Sequence, residues 1–174
     1  EGTLLLDEIG DLHPQLQASL LRVVQEGVFR RVGGRDNLTF AGRIVSATNS
    51  DLSQRVAAKQ FREDLYFRLA VVEILIPALR HRTAEIVPLA EYFLEQASAR
   101  FGRVKGQLSE ELKEALVAYH WPGNVRELKN RVERAVALSE GRPIEVNDVF
   151  ANVRREDPSG PARSVLSRVR RDAE

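Results

Sequence analysis

Gly2-Thr3-Leu4-Leu5-Leu6-Asp7-Glu8 decides the fold. A short, continuously apolar run that ends in two carboxylates suits a strand buried on both faces, as in a parallel sheet. Periodicity then switches: after Pro14, a natural first-turn residue, Leu16, Leu20, Val23 and Val24 fall on one helical face, and Gly27 is placed to end the helix. Residues 28–32 and 38–40 flank the turn-rich Gly33-Gly34-Arg35-Asp36-Asn37, which predicts a hairpin. Residues 43–47 read as a second buried strand ending at Thr48-Asn49, with a helix starting near Ser50 or Asp51. Residues 71–76 read as a third strand, closed by Pro77. Strand, helix, strand, helix, strand implies an α/β fold with a parallel sheet.

Beyond Pro77 only helical patterns remain. Residues 84–100, 109–119 and 124–139 are amphipathic; Ser109 with Glu110 and Glu111 opens the second, and Trp121-Pro122-Gly123 precedes the third. The expected organisation is an α/β part over 1–77, a small all-α part over 78–150, and a linker with a weak helix over 151–174. In that last stretch Pro158-Ser159-Gly160-Pro161 breaks the pattern and the end is Arg-rich.

Composition narrows the function classes. The 174 residues are 43% hydrophobic and 29% charged, which excludes disorder throughout. Lys+Arg 26 against Asp+Glu 25 leaves +1, so no global field drives the chain onto nucleic acid or anionic lipid. With no Cys there is no disulfide, thiolate zinc site or cysteine nucleophile, which suits a cytoplasmic protein. No apolar run approaches the roughly 18 residues of a membrane span. The chain contains no Met and opens on Glu1-Gly2-Thr3 directly before a strand, so it reads as an internal piece of a longer protein.

In open α/β sheets ligands bind beyond the carboxyl ends of the strands, and polar residues ending apolar strands are the candidates. Asp7 can hold Mg²⁺ while Glu8 orients or deprotonates a water aimed at a γ-phosphate; the alternative is a strand end with solvated acids. Thr48 and Asn49 can hydrogen-bond a phosphate or the attacking water without adding charge, or simply open a helix. Arg62 and Arg68, six residues apart, can project from one helix-turn segment and neutralise a transferred phosphoryl group across a subunit boundary. Their alternative is surface pairing with Glu63 and Asp64.

Six strings then stand in an order that resembles one family: Gly2-Thr3-Leu4-Leu5-Leu6-Asp7-Glu8-Ile9-Gly10, Leu16-Gln17-Ala18-Ser19-Leu20-Leu21-Arg22-Val23-Val24-Gln25-Glu26-Gly27, Arg31-Val32-Gly33-Gly34, Ala47-Thr48-Asn49, Phe61-Arg62-Glu63-Asp64-Leu65-Tyr66-Phe67-Arg68-Leu69 and Trp121-Pro122-Gly123-Asn124-Val125-Arg126-Glu127-Leu128. Over residues 1–150 the chain resembles the AAA+ domain of sigma-54-dependent transcriptional activators. The resemblance implies a truncated AAA+ core of the P-loop type followed by a helical lid. In it, Asp7 and Glu8 form the Walker B pair, with Asp7 for Mg²⁺. Thr48 and Asn49 form sensor I, Arg62 and Arg68 are arginine fingers, and Arg126 is sensor II. It also implies a hexamer that hydrolyses ATP to remodel sigma-54 and RNA polymerase, and DNA binding through a domain beyond the linker.

Departures bear on activity. No G-x-x-x-x-G-K-[ST] occurs, since none of Lys59, Lys105, Lys113 or Lys129 follows a Gly, and the family's GAFTGA loop is absent. Both are expected upstream, so the parent protein is expected to be an ATPase and this segment alone inactive. Ala70 stands where the family usually has Asn, and Glu85 where Asp is common. Three other readings compete: a DNA-binding helical module using Arg126, Lys129, Arg131 and Arg134; a metal hydrolase using Asp7, Glu8, Asp11 and His13; and an AAA+ remodeller outside transcription.

Overall fold

The computed structural model describes residues 2–103, 106–139 and 142–151. The chain divides into two compact units, Glu1–Leu75 and Ile76–Glu174. The linker expected after residue 151 lies outside the described residues.

The first unit runs β1 (Thr3–Leu6), α1 (Pro14–Glu26), β2 (Val28–Arg30), β3 (Asn37–Thr39), β4 (Arg43–Ser46), α2 (Leu52–Ala57) and α3 (Glu63–Leu69). β1 and β4 pair in parallel, with Leu4 opposite Ile44 and Leu6 opposite Ser46. Parallel pairing demands a crossover, and α1 with the hairpin supplies it. Gly27 ends α1 in the left-handed region at φ 66°, where a side chain would be strained. β2 and β3 form the expected antiparallel hairpin, tied by Arg30 Nε donating to Asn37 Oδ1 at 2.7 Å. The Asp51 carboxylate caps α2 by accepting from Gln54 N at 3.1 Å.

Three expectations need correction. Residues 71–76 form no strand, and Val71, Val72, Ile74, Leu75 and Ile76 are each at least 75% exposed. An apolar run becomes a strand only when it docks on a partner's ladder, and among the described residues β1 and β4 pair with each other and not with residues 71–76. β1 is not buried on both faces: Leu5 is 60% exposed, and the main packing partners of α1 are α3 and β2. On α1, Leu20, Val23 and Val24 are half-buried as expected, but the first turn departs from the pattern. Leu16 is 56% exposed, whereas Gln17 is 1% exposed.

The second unit is helical: α4 (Thr83–Arg100), α5 (Glu110–Ala118), α6 (Asn124–Leu138) and α7 (Val146–Phe150). Ile86, Ala90, Leu94 and Ala97 form the buried stripe of α4, at the three- and four-residue spacing of one helix face. They meet Leu128, Val132, Ala135 and Val136 of α6 in one core. Trp121 is fully buried there, with its indole N–H donating to Leu116 O at 2.8 Å. The Trp121-Pro122-Gly123 turn is close-fitting: a Cβ on Gly123 would lie 2.7 Å from Glu127 Cβ. Glu127 accepts from Gly123 N at 2.9 Å, and Asn124 Oδ1 accepts from Leu79 N at 2.8 Å.

Candidate functional site

Because β1 and β4 run parallel, the residues that follow both strands emerge at the same edge of the sheet. The ladder continues past the strands, with Ala47 N donating to Leu6 O at 2.8 Å and Ile9 N to Ala47 O at 3.1 Å. Asp7 and Glu8 therefore lie beside Thr48 and Asn49. All four are exposed, so their placement contributes little burial energy. Glu8 sits in the left-handed region at φ 54°, a conformation that costs a non-glycine residue of order 1–3 kcal/mol. Its N–H donates to Asp7 Oδ1 at 3.0 Å.

Gly10 allows this approach. It is buried, and a Cβ there would sit 2.8 Å from Thr48 Oγ1 and 3.1 Å from Ser50 Cβ. Thr48 Oγ1 accepts from Ser50 N at 3.1 Å, and Ser50 Oγ donates to Asn49 Oδ1 at 3.2 Å. The edge thus presents two carboxylates and a neutral amide on adjoining backbone segments. Such a donor set fits Mg²⁺, which keeps several waters and is held by one or two carboxylates plus substrate phosphates. Among the described residues no three His, Asp or Glu side chains cluster, so a preformed all-protein cage is absent there.

Arg62 precedes α3 and Arg68 lies in its last turn. Arg62 grips Asp64 in a two-point ion pair, Nε to Oδ1 at 2.9 Å and Nη2 to Oδ2 at 2.7 Å. These hydrogen bonds hold the Asp64 carboxyl below, and the guanidinium above, their ordinary values. Arg68 meets no acidic partner among the described residues. Arg126 is exposed on the first turn of α6, in the second unit. Nearby acids of α6 are engaged elsewhere: Glu127 with Arg131 at 2.7 Å, Glu133 with Lys129 at 3.8 Å.

Members of the competing sets are committed elsewhere. Asp11 pairs with Arg55 at 2.7 Å, and His13 caps α1 by accepting from Gln15 N. Arg131 bonds Glu127 and lies over the Tyr119 and Phe150 rings, so it does not join a basic stripe. Sequence reasoning overlooked two polar residues that tie the first unit together. Gln17 donates to Leu12 O at 2.8 Å and Gln60 O at 3.0 Å, and accepts from Arg62 N at 2.9 Å. Arg55 donates to Gly10 O at 2.6 Å, Asp11 Oδ1 at 2.7 Å and Ser50 Oγ at 3.0 Å. Their partners lie up to 45 positions away; the only local signal was a glutamine inside an apolar stripe.

Parallel strands that deliver acids and an amide to one edge, followed by a helical unit, are consistent with a truncated AAA+ core and its helical lid. Residues 1–75 match the Sigma-54 interaction domain, and residues 80–165 match the AAA+ ATPase lid domain. The chain is 48% identical over 143 residues to the transcriptional regulatory protein ZraR of Klebsiella oxytoca, covering 82% of this chain and 32% of that protein. It is 46% identical over 171 residues to the Nif-specific regulatory protein of Azotobacter vinelandii, covering 97% and 32%. Among solved structures, NtrX from Brucella abortus in complex with ADP matches with a TM-score of 0.82 at 34% identity, covering 91% of this chain and 37% of that one. The chain belongs to the AAA+ domain family of sigma-54-dependent transcriptional activators. It spans about a third of the length of these curated relatives.

Proposed function

We propose that this chain supplies the hydrolytic edge and the lid of an ATPase site in a cytoplasmic, sigma-54-dependent transcriptional activator. Residues 1–77 are the α/β core, 78–150 the lid and 151–174 a linker toward a DNA-binding domain. The observation that carries the reading is the shared edge, where Glu8 and Asn49 follow adjacent parallel strands and Gly10 packs against Thr48 and Ser50. The NtrX structures with ADP and with ATP support nucleotide as the ligand.

Asp7 is the residue to hold Mg²⁺, which when bound neutralises charge on the β- and γ-phosphates. Glu8 accepts the proton of, or orients, the water that attacks the γ-phosphorus, while Thr48 and Asn49 hold the water or the phosphoryl oxygens by hydrogen bonds. Arg68, and Arg62 once released from Asp64, serve the nucleotide of a neighbouring copy in a hexamer. Their guanidinium groups neutralise charge that grows in the transition state. Arg126 links nucleotide state to the lid, and the turnover drives remodelling of sigma-54 and RNA polymerase. In the full-length protein, Glu8→Gln is expected to retain nucleotide binding and to lose ATP turnover. Turnover at the wild-type rate would overturn the assignment. The 174-residue chain alone, with no phosphate-binding loop in its sequence, is expected to show negligible turnover.

A further inference from the structure

We propose that Arg55 is a positioning residue that fixes which atom of the Asn49 amide faces the sheet edge; this rests on the ATP reading above. An asparagine amide offers an oxygen that only accepts and a nitrogen that only donates, and its two orientations are nearly equal in shape. A phosphoryl oxygen needs the donor. At Asn49 the choice is made by a chain of two hydrogen bonds. Arg55 Nη2 lies 3.0 Å from Ser50 Oγ, and a guanidinium has no acceptor, so the serine oxygen must accept. The single serine proton is thereby turned away from Arg55 and is free to be donated to Asn49 Oδ1, 3.2 Å distant. With its oxygen occupied, Asn49 presents Nδ2 outward.

Arg55 is itself held on both sides. Its other bonds reach Gly10 O at 2.6 Å and Asp11 Oδ1 at 2.7 Å, on the segment that follows Glu8. One guanidinium thus spans the two segments that carry Glu8 and Asn49. Asp11 offsets its charge, so Arg55 acts through geometry and not by attracting phosphate itself. Its backbone carbonyl separately accepts from Gln60 N at 2.8 Å and Phe61 N at 3.2 Å, so the turn after α2 persists when the side chain is changed.

The test measures ATP turnover and ADP affinity of the full-length protein for Arg55→Met, Ser50→Ala, Asn49→Ala and the two doubles containing Asn49→Ala. Arg55→Met and Ser50→Ala are each expected to lower kcat about tenfold, with KM and the ADP Kd within about twofold. Added to Asn49→Ala, either is expected to cost less than about twofold more, because the group being oriented is gone. Ser50→Ala removes one hydroxyl and keeps the proposal testable should Arg55→Met fold poorly. Wild-type kcat in Arg55→Met, or a further tenfold loss on top of Asn49→Ala, would overturn the relay and leave Arg55 a structural tie. Wild-type kcat in Asn49→Ala would instead refute the ATP reading of the edge, and the relay with it.

Discussion

Adding one methyl group at Gly10 tests whether the two segments at the sheet edge must touch. Gly10 has no left-handed φ, so alanine meets no backbone penalty and the perturbation is purely steric. Its Cβ would lie 2.8 Å from Thr48 Oγ1, 3.1 Å from Ser50 Cβ and 3.2 Å from Ser50 Oγ. Ordinary contact begins at 3.4 Å, so the Thr48–Ser50 segment must retreat by about 0.6 Å, taking Asn49 with it. Overpacking of this kind costs about 1–3 kcal/mol of stability, and displacement of a catalytic group by 1 Å costs turnover by about a hundredfold. Gly10→Ala in the full-length protein is therefore expected to lower kcat for ATP by roughly ten- to a hundredfold, with ADP affinity nearly unchanged. Gly2→Ala, where the new Cβ has nothing within 4 Å, is the matched control. Steady-state turnover and a nucleotide-displacement titration read both. Wild-type kcat in a folded Gly10→Ala protein would refute the claim that the edge depends on this contact.

Other outcomes follow from the same structure. Arg68→Ala is expected to collapse turnover by about 10³-fold or more while ADP affinity stays near wild type; Arg62→Ala also frees Asp64, so its carboxyl returns toward its ordinary value in a titration followed by NMR. Trp121→Ala is expected to destabilise the helical unit by about 3–5 kcal/mol in chemical denaturation, whereas Arg126→Ala, on an exposed site, leaves the midpoint unchanged. The Asp148 carboxyl is held below its ordinary value by hydrogen bonds from Arg142, so it contributes stability above a pH of about 4 and loses it as pH falls through its folded value. Asp148→Asn should flatten that acid arm in thermal melts.

Local signals carried most of the architecture. The apolar runs ending in Asp7-Glu8 and Thr48-Asn49, the Gly27 stop and the Gly33-Gly34 turn each act within a few residues, and the strands, α1 and the hairpin formed where those signals lie. The helical stripes of α4, α5 and α6 were equally legible, since their period is fixed by backbone geometry. Residues 71–76 were not, because strand identity depends on a partner ladder that a hydrophobic run does not encode. The burial of Gln17 was hidden for another reason: one nearby and two distant backbone groups satisfy it, and a hydrophobicity pattern scores it as solvent-facing. Arg55 was invisible on the same ground, since Gly10 and Asp11, two of its three partners, lie 45 and 44 residues away.

In the proposed hexamer, Glu8 of one copy and Arg68 of the next serve the same triphosphate. The decisive experiment mixes full-length Glu8→Gln with full-length Arg68→Ala, each expected to be inactive alone. In a randomly mixed ring about a quarter of the interfaces join an intact Glu8 to a neighbour's intact Arg68, so turnover should recover to about that fraction of wild type. Mixed assemblies that form and remain as inactive as either parent would contradict the account.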